Sequence, residues 1–190
     1  MRLIFLFLLL SPAVFSHGVG HGSHEGFVSG FRHPFFGVDH VIAMVAVGIW
    51  GSFLGKREQW LLPVVFPLVM ATGAALGILK IGLPAVELGI ALSGVVLGLL
   101  ILFAAKPPVV LSAAIVAFFA IFHGYAHGVE LHAKDEFMEY CAGFVVATGF
   151  LHLGGIGIGM LNEWKYGLYV IRTCGFVIAL LGGWYVIELI

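Results

Sequence analysis

From residue 34 onward the chain alternates long apolar runs with short polar breaks, and the breaks define the elements. Six runs, roughly 34–54, 60–79, 83–104, 108–131, 137–160 and 166–188, are each long enough to cross a bilayer. Their connectors are as short as GKREQ, KIGLP, AKPP, HAKDE and NEWK. A helix needs about 20 apolar residues to span hydrocarbon, and such a span must satisfy its own backbone hydrogen bonds. The pattern therefore predicts an all-α fold, a polytopic membrane helical bundle of six transmembrane helices with no soluble domain in its loops.

Ahead of the first run, Arg2 precedes an apolar stretch from Leu3 to Leu10 that Ser11-Pro12 cuts short of a span. Val14 and Ser16 supply small residues for cleavage before His17, so residues 1–16 read as a signal peptide. Residues 17–32, HGVGHGSHEGFVSGFR, form a Gly-rich segment carrying His17, His21, His24 and Glu25. Such a tract either collects metal loosely or is a plain solvated tail. Residues 33–190 make up the membrane domain. A cleaved leader places the mature N-terminus on the periplasmic side of a bacterial cytoplasmic (inner) membrane. The charges agree, with Lys56, Arg57, Lys106 and Lys165 in the inner loops against Lys80 and Lys134 outside. Trp60, Trp164 and Trp184 sit at run ends as interfacial anchors. A faint repeat links the ATG of Ala71–Gly73 with that of Ala147–Gly149, and the GVD of Gly37–Asp39 with the GVE of Gly128–Glu130. A three-plus-three duplication would invert the second half.

Composition narrows the class. The chain is 61% hydrophobic and 10% charged, with a mean hydropathy of +1.11, where a soluble domain is about 25% charged. A formal net charge of -1 excludes a nucleic-acid partner. The absence of a GxxxxGK[ST] loop excludes a nucleotide site of that type. Cys141 and Cys174 lie in apolar runs and read as small buried hydrophobes.

Two stretches break the apolar pattern with metal-ligand chemistry. In HPFFGVDH, His33 and His40 are two helical turns apart, with Asp39 beside the second. In FHGYAHGVE, His123, His127 and Glu130 form an i, i+4, i+7 stripe. The first and fourth spans run in opposite directions, so the start of one and the end of the other share a face of the membrane. At 1.5 Å per residue, His40 lies about 10 Å deeper than His33, and His123 about 10 Å deeper than Glu130. The stripes are expected to meet in one layer.

Buried imidazoles and carboxylates are costly unless compensated, and a divalent cation held by Asp39, Glu130 and neutral histidines leaves no net charge. Glu87, near the outer end of the third span, is a secondary candidate against a snorkelling carboxylate. His152 and Met44 read as packing first. The Gly124–Gly128 GxxxG is expected to let the ligand-bearing helices approach, and Pro63 and Pro67 to kink the second span. Imidazole and carboxylate without thiolate suit nickel, cobalt, zinc or ferrous iron rather than magnesium or calcium.

HPFFGVDH and FHGYAHGVE, over nearly the whole mature chain, resemble the HupE/UreJ family of hydrogenase and urease accessory membrane proteins. The resemblance implies a six-span nickel permease that supplies nickel enzymes. Its motif residues fall on His33, Asp39, His40, His123, His127 and Glu130. Cobalt or zinc remain alternative cargoes.

The leading expectation is a secondary permease, not an enzyme. Its partners would be the divalent ion, the lipid bilayer, nickel-enzyme maturation proteins and, with the oligomeric state open, a second copy in a homo-oligomer. Uptake by it should weaken as external pH falls through the histidine range. The alternatives are an intramembrane zinc-dependent hydrolase and a membrane metal chaperone or sensor that does not transport.

Overall fold

A computed structural model describes residues 25–131 and 137–190. The expected signal peptide, together with His17, His21 and His24, lies outside the described residues. Among those residues the secondary structure is helical throughout: α1 (Glu25–Phe36), α2 (Val38–Leu54), α3 (Glu58–Ile78), α4 (Val86–Leu102), α5 (Val109–Leu131), α6 (Phe137–Gly159) and α7 (Gly167–Glu188). A single 3-10 turn, Met160–Glu163, follows α6.

Four helical segments, Glu58–Ile78, Val109–Glu130, Met138–Glu163 and Gly167–Glu188, are long and apolar enough to cross a membrane. The chain is a multi-pass membrane protein. The first expected span, 34–54, is not one helix. α1 and α2 meet at Gly37 with their axes bent by 83°, and only as a broken pair do they count as a fifth candidate. The bend has a local cause, because Gly37 adopts an extended backbone (φ -91°, ψ 104°) that interrupts the helix. A Cβ there would sit 3.0 Å from both Asp39 Oδ1 and His40 Nδ1. Glycine leaves room for those side chains to fold back across the break. α1 also begins at Glu25, so part of the supposed Gly/His-rich tail is ordered helix. The third expected span, 83–104, shrinks to the 17 residues of α4. Left-handed Ala85 and Ala104 bracket it. By length alone, the expected six crossings are therefore not reached.

α2 is the central helix. Met44, Val47, Ile49 and Trp50 are fully buried on it, and it packs on α6, α3 and α4. The other principal pairs are α3 with α5, α4 with α7, and α1 with α6. Small residues set these pairings. A Cβ on Gly124 or Gly128 would collide with the backbone carbonyl of Met70 or Ala74, so α5 lies backbone to backbone on α3. The GxxxG therefore does not draw the two ligand-bearing helices together. In the same way, Gly48 and Gly155 let α2 and α6 touch at the carbonyls of His152 and Val45. α3 continues as helix through both Pro63 and Pro67.

Polar contacts fix the senses of the helices. Asp39 at the start of α2, Glu87 at the start of α4 and Glu188 at the end of α7 line one small cavity. At the other end of α2 the Trp50 indole N–H donates to the carbonyl of Ala105, just past α4, at 3.1 Å. α4 thus runs beside α2 in the same direction. Arg172 of α7 donates from Nε to the free Leu102 carbonyl at 2.8 Å, satisfying an acceptor left open at the end of α4. Large exposed apolar side chains such as Val110, Phe118, Val145 and Phe176 face outward around the bundle.

Candidate metal centre

α1, α2 and α5 supply the site. The bend at Gly37 turns α1 off the α2 axis and onto α6, so that His33 arrives from one helix and His40 from another. The expected single stripe on one helix is thus replaced by two helices converging from different directions. His33 Nε2 lies 3.4 Å from Glu130 Oε2 at the end of α5, and His127 Nδ1 lies 3.7 Å from the same oxygen. One donor atom from each of His33, His127 and Glu130 falls within 4.8 Å of the others.

One layer deeper, the rings of His40 and His127 are centred 4.6 Å apart and those of His40 and His123 5.0 Å apart. His33 pairs with Glu130 at the mouth and His40 with His123 below it, although the 83° bend at Gly37 removes the common helical rise on which the expected depths rested. α2 and α5 are not among the close-packed helix pairs. Their imidazoles reach towards one another across a gap rather than along a tight seam.

The hydrogen bonds set the protonation pattern. Asp39 Oδ1 accepts from His40 Nδ1 at 2.9 Å and from the His40 backbone N–H at 2.9 Å. The Phe119 carbonyl accepts from His123 Nδ1 at 3.0 Å. Carboxylate and carbonyl oxygens only accept, so both Nδ1 atoms carry the proton and both Nε2 atoms present a lone pair. Those Nε2 atoms, with both ring nitrogens of His127, are buried without a hydrogen-bond partner. Buried polar atoms are rarely left so, because each costs about 1–3 kcal/mol when unpartnered. Asp39 is consequently the carboxylate that orients His40, and lies outside the three-donor group at the mouth.

A cavity of about 340 Å³ opens onto the site, lined by His33, Asp39, His40, His127, Glu130 and Glu87. Exposure falls along it, from 56% for the Glu130 side chain and 34% for His33 to 6% for His127. At the bottom, His123 is fully buried. Glu87 faces this same cavity rather than lipid alone. The sequence reading missed the aromatic wall: Phe144 packs 4.6 Å from the His127 ring, and Tyr140 5.7 Å from His33. Their i, i+4 spacing on α6 was the available signal, indistinguishable there from ordinary apolar helix. His152 stands apart, with the ring of Phe66 between it and His123.

With this geometry in place the comparisons with known proteins are decisive. The sequence profile described as HupE / UreJ protein matches residues 4–185. The chain belongs to the HupE/UreJ family. Among the relatives of this HupE/UreJ chain, Protein HupE of Rhizobium leguminosarum bv. viciae is 46% identical over 158 residues, covering 83% of each chain. No solved structure matches the chain.

Proposed function

We propose that the chain is a secondary permease for a divalent transition-metal ion, nickel first among candidates with cobalt or zinc also suited to the donors, and that it supplies metal to nickel enzymes. The observation that carries this reading is the cluster of bare, buried imidazole nitrogens on His40, His123 and His127 beneath an exposed carboxylate. A soft-to-borderline dication satisfies those lone pairs at once. Glu130 and His33 meet the hydrated ion at the mouth, His127 takes it over, and His40 and His123 complete the replacement of its water. Asp39 balances charge through His40, and Glu87 adds negative potential to the cavity wall. Release on the opposite face, rather than turnover of a substrate, makes the chain a transporter and not an enzyme. The accessory role for hydrogenase or urease follows the resemblance carried by the two motifs.

Six crossings suit this reading despite the short α4. His33 at the start of α1–α2 meets Glu130 at the end of α5, so α5 must start on the opposite face, where α2 ends. With α3 returning the chain to the first face, the Asp39–Glu87 and Trp50–Ala105 proximities support α4 crossing back. The pairs α2–α6, α3–α5 and α4–α7 also map onto one another when the first and last three spans are exchanged, which supports an inverted repeat and alternating access. The residues before His17 act as a cleaved leader, leaving the mature N-terminus periplasmic in the bacterial inner membrane.

The test is accumulation of radioactive nickel in proteoliposomes containing the full chain, with cobalt and zinc run in parallel. Wild-type protein should load the lumen, and His40→Ala and His127→Ala at equal protein levels should not. Equal uptake by the variants would overturn the assignment. Binding without lumenal loading would convert it to a metal chaperone.

A further inference from the structure

His123 marks the floor of the outer site, but polar chemistry continues beyond it. On α6, Thr148 and His152 are one turn apart on the same face, 1% and 3% exposed. Thr148 Oγ1 and His152 Nε2 are both buried without a hydrogen-bond partner. A hydroxyl and an imidazole stranded together in hydrocarbon are the same kind of anomaly as the outer cluster, and they carry the same implication of an absent polar occupant.

Their position gives the occupant. The fully buried ring of Phe66 stands edge-on between two imidazoles, centred 5.5 Å from His123 and 5.6 Å from His152. Past His152, α6 continues through Gly155 to a cavity of about 460 Å³ on the inner face, where Ser52, Gln59, Asn162 and Glu163 offer oxygen donors beside the cations Lys56 and Lys106. The Gly159 wall of that cavity is two turns, about 10 Å, beyond His152 on the same helix. Phe66 thus touches both the floor of the outer cluster and His152, and α6 carries the chain on from His152 to the inner cavity.

We propose that His152, with the Thr148 hydroxyl above it, is a second and transient stop for the divalent transition-metal ion on the inner side of Phe66. The proposal rests on the permease reading. This stop has one imidazole and one hydroxyl and no carboxylate, so it holds the ion more weakly than the outer site. Weak binding is what a relay position needs, because an ion held tightly halfway would not leave. Phe66 separates the two stops, so the ion passes when that ring moves aside.

The experiment uses the full chain with nickel or cobalt alone as probe. His152→Gln keeps volume and polarity while removing the ring nitrogen. It should lower nickel uptake into proteoliposomes about tenfold or more, with calorimetric nickel binding at the outer site unchanged. Uptake within twofold of wild type overturns the inner stop and leaves the permease intact. Wild-type protein that loads no ion overturns both. A second variant guards against misfolding. In a Cys141→Ser, Cys174→Ser background, His152→Cys loaded with cobalt should show a thiolate-to-cobalt charge-transfer band absent from the parent. A flat difference spectrum from folded, cobalt-loaded protein also overturns the stop.

Discussion

His40 Nδ1 and Asp39 Oδ1 lie 2.9 Å apart across adjacent residues, leaving the buried Nε2 of His40 unpartnered in a ring centred 4.6 Å from that of His127 and 5.0 Å from that of His123. Under the proposed permease reading, Asp39 acts on the ion through the imidazole it orients. Asp39→Asn keeps the shape and removes the charge, so it should weaken nickel binding about 10- to 100-fold. Calorimetric titration of the purified protein checks this, and unchanged affinity would remove Asp39 from the site.

Glu130 and His123 sit at opposite ends of the exposure gradient and should fail differently. Loss of the mouth carboxylate in Glu130→Gln should raise the half-saturating nickel concentration about tenfold, the equivalent of about 1.4 kcal/mol, with a smaller effect on maximal rate. His123→Gln, at the buried floor, should lower the maximal rate instead. Initial uptake rates across a nickel concentration series separate the two, and identical profiles would contradict the ordered path.

The α3–α5 seam makes a purely structural prediction. A side chain at Gly124 meets the Met70 carbonyl, so Gly124→Val should cost about 1–3 kcal/mol through overpacking. Thermal unfolding in detergent should show a lowered midpoint with binding and transport lost together. Glu130→Gln, at the exposed mouth, should instead unfold at the wild-type midpoint. A Gly124→Val protein as stable as wild type would mean that the seam is looser than its backbone contacts indicate.

The pairing of the two motifs was legible because antiparallel spans bring the start of one and the end of the other to the same end of the bundle. His33 meets Glu130 and His40 meets His123 as counting residues implies, even though α1 and α2 are separate helices. The break at Gly37 was hidden, since a glycine inside a long apolar run is common in membrane helices and hydropathy does not register backbone direction. Likewise, Gly124 and Gly128 announced a close approach without naming the partner. Only the three-dimensional packing assigns them to α3 and leaves the α2–α5 gap open for side chains. Glu87 and His152 were ambiguous in the same way, because one-dimensional position does not say whether a polar residue in a span faces lipid, a cavity or the core.

The most direct measurement is the X-ray absorption spectrum of the full-length protein loaded with one equivalent of nickel. Coordination by His40, His123 and His127 predicts a nitrogen/oxygen shell with the outer scattering of several imidazoles, reduced in His127→Ala and lost in the triple alanine variant. An all-oxygen shell resembling the hydrated ion, or a spectrum unchanged by those substitutions, would contradict the account.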